Sequence, residues 1–155
     1  MPNLFHAEPT KLAEWRNLLI EGQEKAGLSL TETLENYVVL TLDAYTTETK
    51  LASTVLAIEF LENIRASKIR DFQKLRSVGD QCLILAGLFP ERAQRKQVSD
   101  DYFKNLGENA YYVLSYARTS KQIDHSLFYQ LFENFVNLTE VLKATRLFTN
   151  HKVYN

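Results

Sequence analysis

At 155 residues, with 45% hydrophobic, 24% charged and 12% aromatic side chains, the chain has the profile of one ordinary soluble domain, able to hide roughly 70% of its surface on folding. A net charge of -1 and a pI near 6.3 withhold the electrostatic footprint of a nucleic-acid binder. A single cysteine, Cys82, excludes an internal disulfide and any zinc site that needs two thiolates from one chain.

Helices are expected in six segments. The first, about Thr10 to Ala26, follows Pro9 and stops before Gly27, where a left-handed residue ends a helix. The second opens at Ser29, whose spacing to Glu32 matches a capping box, and carries Leu34, Tyr37, Val38, Thr41, Leu42 and Tyr45 at helical spacing. The third, about Lys50 to Ala66, is apolar over much of its circumference through Leu51, Val55, Ile58 and Phe60, the pattern of a central helix touching neighbours on two sides.

The fourth segment, about Lys68 to Ala86, starts basic and amphipathic and becomes apolar all round from Cys82, so its second half belongs in the core and Gly87 should stop it. Pro90 disfavours helical geometry at Phe89 and can itself open a short basic turn, Glu91 to Lys96. Ser99 is placed to cap a fifth helix, about Asp100 to Arg118, with two aspartates in its first turn. A polar link, Thr119 to Ser126, leads to the sixth, about Leu127 to Phe148, with its stripe of Leu127, Leu131, Phe135, Leu138 and Leu142. No run alternates with period two. The expectation is an all-α single domain over residues 1–155, a bundle of about six helices packed as antiparallel hairpins.

Charge is uneven along the chain. Residues 1–64 carry 4 basic and 10 acidic groups, residues 65–96 carry 8 and 3, and the remainder carries 6 and 6. Attraction between segments, or simple solvation of helix faces, accounts for this more economically than an anion-binding middle. Met1 to Trp15 holds Glu8, Pro9 and Glu14, and the longest strongly apolar stretch is Cys82 to Phe89, so neither a signal peptide nor a membrane span is expected and the cytoplasm is the expected compartment.

Enzyme motifs are absent. There is no phosphate-binding Gly-x-x-x-x-Gly-Lys loop, no Gly-x-Gly-x-x-Gly, no His-Glu-x-x-His and no Gly-x-Ser-x-Gly. His6, His125 and His151 form no Glu-x-x-His pair, so no metal or cofactor is implied. Cys82 sits in the most apolar run, where a thiol is inert core.

Two constellations remain. Arg76 lies inside the apolar stripe of the fourth helix, one turn before Asp80. The pair either satisfies itself at the core margin or floors a pocket for a small anion, with Arg92, Arg95 and Tyr102 as further lining; Asp80 with Glu108 is a weaker carboxylate pair. On the fifth helix Asn105, Asn109, Tyr112 and Tyr116 form the face opposite the core stripe, which is either covered by another helix of the bundle with the phenol oxygens reaching solvent or anchors a protein partner, a second copy or the planar ring of a ligand. Gly79 and Gly107, each inside a helix, mark a close crossing of the fourth and fifth segments.

The string Gly79-Asp-Gln-Cys-Leu-Ile-Leu-Ala-Gly-Leu-Phe-Pro90, followed by Arg95, Val98, Tyr102-Phe103, Leu106-Gly107 and Ala110-Tyr111, resembles a family of small all-helical bacterial proteins, chiefly proteobacterial, for which no activity is established. The resemblance implies a bacterial cytosolic protein and assigns these positions no role. The reading is a non-catalytic helical binding or protein-interaction module, whose tyrosine face meets either another protein or a second copy of the chain. The alternative is a pocket protein or enzyme holding a small anion between the helices around Gly79 and Gly107. Nucleic-acid and membrane partners are not expected.

Overall fold

A computed structural model describes residues 9–45, 71–89, 100–118 and 122–154. The expected third helix, the turn after Pro90 and Ser99 lie outside those residues. Six helices are described: α1 (Pro9–Ala26), α2 (Glu32–Tyr45), α3 (Phe72–Leu88), α4 (Asp100–Tyr116), α5 (His125–Glu133) and α6 (Phe135–Tyr154). No strand occurs among the described residues, and the fold is an all-α bundle.

Cross-helix partners run in opposite directions along successive helices. Lys11 pairs with Asp43 while Arg16 reaches Glu35 and Asn36, so α1 and α2 are antiparallel. Gly79 meets Tyr111 while Cys82 meets Gly107, so α3 and α4 are antiparallel as well. Tyr112 touches Phe132 while Ala117 bonds His125, which gives α4 and α5 the same relation.

α3 is the central helix of the described bundle, with its broadest contacts to α4 and α6. Every residue from Cys82 to Leu88 is buried, as the apolar run requires. Leu75, Leu83, Ile84 and Leu85 are wholly inaccessible, each supplying about 2 kcal/mol of apolar transfer free energy.

The crossing of α3 and α4 depends on its two glycines. A Cβ at Gly79 would lie 2.7 Å from the Tyr111 ring, and one at Gly107 would lie 2.6 Å from Phe135 and 2.9 Å from the Cys82 Cβ. The helices approach closely here, and the aromatic rings of Tyr111 and Phe135 fill the space the missing side chains leave.

Local signals resolve differently from expectation at four points. Gly27 does end α1 with φ +70°, but Gly87 does not end α3: it stays helical and buried, leaving room for Leu142, and the cap falls at Phe89. α3 starts at Phe72, four residues after the expected Lys68, because Asp71 is extended and its side chain accepts from the backbone N–H groups of Gln73 and Lys74. α2 starts at Glu32, and the hydroxyl that accepts from the Leu34 N–H belongs to Thr31, not Ser29. The expected sixth helix is broken at Asn134, whose side-chain amide donates to the Gln130 carbonyl and whose backbone leaves α geometry at φ -102° and ψ 11°. An Asn that bonds its own backbone competes with helix continuation.

Candidate functional site

Tyr37 sits on the buried face of α2, Arg76 and Asp80 one turn apart on α3, and Tyr111 on the face of α4 that crosses Gly79. Their polar tips meet inside the bundle. Tyr37 Oη donates to Asp80 Oδ1 at 2.6 Å, and Tyr111 Oη donates to the same oxygen at 2.7 Å. Arg76 Nε donates to Tyr37 Oη at 3.1 Å and lies 3.9 Å from Asp80 Oδ2. The Arg76 guanidinium also stands over the Tyr37 ring at 5.3 Å and the Phe128 ring at 6.0 Å.

Burial pushes the Asp80 carboxyl up to about 6, against the opposing pull of the two phenol hydrogen bonds and the Arg76 charge. Burial, with the neighbouring Asp80 charge, holds both phenols well above their ordinary range, so they remain donors. Burial likewise raises the Cys82 thiol far above neutrality, and with no exposed surface it carries no reactivity. The cluster is a satisfied buried acid joining three helices. No reacting group in it is exposed to a substrate except the guanidinium edge, since the Arg76 side chain is 49% accessible and Asp80 8%.

That edge opens on a cleft of about 510 Å³ between α3, the end of α4 and the start of α5. Its walls include Phe72, Leu114, Leu127 and Phe128, and its polar lining comprises Arg76, Gln73 and Gln122 with Asp71 and Asp124, the N-caps of α3 and α5. Space therefore lies beside Arg76 and not at the glycine crossing, which side chains occupy.

Of the residues the sequence nominated for a pocket, the structure brings Arg76 and Asp80 together. Tyr102 packs edge-on against Phe103 at 5.5 Å, nine residues from Tyr111 and so about 13 Å away along α4. Arg92 and Arg95 lie outside the described residues. Glu108 is no partner of Asp80; its charged neighbour is Lys104, and burial raises it. Tyr37 and Tyr111 were missed as site residues. The usable signal was chemical: a tyrosine in a core stripe needs a partner for its hydroxyl, and a mid-helix aspartate in an apolar stripe needs donors.

The second nominated face is on the surface. Asn105 and Asn109 are exposed, and Tyr112 and Tyr116 are 45% and 55% accessible. Their rings touch edge-on at 5.1 Å, Tyr112 contacts Phe132 at 4.8 Å, and Phe132 contacts the exposed Tyr129 at 6.0 Å. Phe132 thus ties the α4 row to α5 without covering it.

Among the described residues no three His, Cys, Asp or Glu side chains gather as a metal site, and no helix is long and apolar enough to cross a membrane. Compared with known proteins, the chain matches no family model, no curated protein and no solved structure. The fold and these two surfaces are therefore the basis for a functional reading.

Proposed function

We propose that this chain is a bacterial, cytosolic, non-catalytic helical interaction module that binds a second copy of itself through the α4–α5 aromatic face. The observation that supports this is the ring-to-ring row Tyr116–Tyr112–Phe132–Tyr129, in which three tyrosines keep nearly half or more of their surface in solvent. Tyrosines offer large contact area at low entropy cost and a polar tip tolerant of water, the properties of interface anchors. Asn105 and Asn109 extend the row with hydrogen-bonding groups suited to a rim.

Sedimentation equilibrium tests the reading. The wild type is expected as a homo-oligomer, and Tyr112→Ala with Tyr116→Ala as a monomer with an unchanged helical spectrum. A monomeric wild type, or a double variant of unchanged mass, sinks it.

A second reading has its own support. The cleft beside Arg76 falls in the size range of small-molecule sites and combines apolar walls with a few charged groups. On that reading Arg76 holds the carboxylate or phosphate of a small ligand, backed by Asp80; Tyr102, at the far end of α4, takes no part, and Arg92 and Arg95 lie outside the described residues. Thermal stabilisation of the wild type by anionic metabolites, lost in Arg76→Ala, is the expected outcome; no shift with any of them counts against it.

A further inference from the structure

The polar lining of the Arg76 cleft carries both signs of charge, and this constrains what fits. Arg76 commits Nε to the Tyr37 hydroxyl, which sets the guanidinium plane. Its Nη nitrogens have no acceptor among the described residues. The same cleft is lined by Asp71, whose Oδ1 accepts from the Gln73 and Lys74 N–H groups, and by Asp124, whose Oδ1 accepts from the Leu127 N–H. Both aspartates are exposed, and neither pairs with a cation among the described residues. A simple anion entering the cleft approaches two carboxylates; a simple cation approaches the guanidinium. A molecule with a carboxylate and an ammonium satisfies both, and the apolar walls ask for an apolar group beside the charged pair.

Resting on the pocket reading above, we infer that this cleft binds a zwitterion with an apolar side chain, an apolar amino acid, its carboxylate on the Arg76 guanidinium and its ammonium beside the Asp71 and Asp124 carboxylates. The volume of about 510 Å³ accommodates an aromatic amino acid with water to spare. Arg76 is the anchor because its orientation is set from behind by Tyr37 and Asp80. The two aspartates are the selecting groups, which exclude a des-amino acid of the same shape.

Three probes with one phenyl body separate the possibilities: L-phenylalanine, 3-phenylpropionate and 2-phenylethylamine, titrated into the isotopically labelled full chain and followed by amide shifts. L-Phenylalanine is expected to move amides of residues 71–76 and 122–128 and to bind at least about tenfold tighter than either relative, the factor for one lost charge pair. Asp71→Asn with Asp124→Asn keeps competent N-caps, so the fold survives. In that variant L-phenylalanine should weaken at least about tenfold, and 3-phenylpropionate should match or exceed it. Should 3-phenylpropionate bind the wild type as well as L-phenylalanine, or should the aspartate variant bind L-phenylalanine unchanged, the zwitterion inference is overturned while the pocket stands. If none of the three probes moves those amides, the zwitterion inference is overturned, and the pocket reading stands or falls by the anionic-metabolite test above.

Discussion

Asp80 is the residue on which most of the bundle's polar chemistry converges. Its carboxyl is raised from 3.8 to about 6 in the folded chain, so the folded state holds the proton more tightly than the unfolded one. Stability from this group is therefore fully present below about pH 4 and is lost as pH rises to about 6, a difference of up to about 3 kcal/mol. Asp80→Asn keeps an oxygen for both phenols and removes the burial cost of the charge. The variant should be more stable than the wild type by about 1–2 kcal/mol at about pH 8 and no more stable at about pH 4, as read by urea unfolding. A pH-independent difference would mean that Asp80 does not titrate in this range. Tyr111→Phe preserves the ring that fills the Gly79 gap and deletes one of two donors to Oδ1. It should cost about 1–2 kcal/mol at neutral pH and push the Asp80 carboxyl still higher, visible in a carboxyl NMR titration. The closeness of Arg76 and Asp80 follows from their i,i+4 spacing on one helix, but whether they pair with each other or floor a pocket stays open in the sequence. Tyr37 and Tyr111 stand 43 and 31 residues from Asp80, and no local pattern reports that their hydroxyls share its oxygen.

At the scale of elements, glycine positions divide into those needed for backbone conformation and those needed for space. Gly27 has φ +70° and nothing near its missing Cβ, so Gly27→Ala should cost about 1 kcal/mol through conformation. Gly107 is helical, and alanine there gains about 1 kcal/mol of propensity. The Phe135 ring at 2.6 Å and the Cys82 Cβ at 2.9 Å must then give way on two sides, and overpacking of this kind costs about 1–3 kcal/mol. Gly107→Ala should therefore be net destabilising, lowering the urea midpoint at constant slope; a raised midpoint would show that α3 and α4 part without penalty. Helix ends followed side-chain hydrogen bonding more than apolar period. Asp71, Thr31 and Asp124 set the starts of α3, α2 and α5, and Asn134 breaks what the Leu127 to Leu142 stripe reads as one helix. Period locates a buried face but does not record which of several nearby polar residues takes the cap.

At the scale of the molecule, the central place of α3 among the described helices predicts where cooperativity resides. It packs on α2, α4 and α6, and the Asp80 cluster ties it to α2 and α4 with hydrogen bonds that only the assembled bundle supplies. Amides of Cys82 to Leu88 should exchange with deuterium only through global unfolding, at a higher free energy than those of α1 or α5. Faster exchange there than in α1 would refute the central-helix reading. The all-α class, the first hairpin's Gly27 stop, the buried second half of α3 and the glycine crossing were determined by sequence itself, since each follows from period, punctuation or size within one or two segments, whereas the exposure of the tyrosine row was decided by the bundle. Tertiary structure alone decided that two distant phenols share Asp80, that the glycine gaps are filled by Tyr111 and Phe135, and that open space lies beside Arg76 between two capping aspartates. The physical reason is common to all three: helical period specifies which face turns inward, whereas the partner a buried polar group finds is set by the rotation and register of another helix, which packing fixes only when the bundle closes.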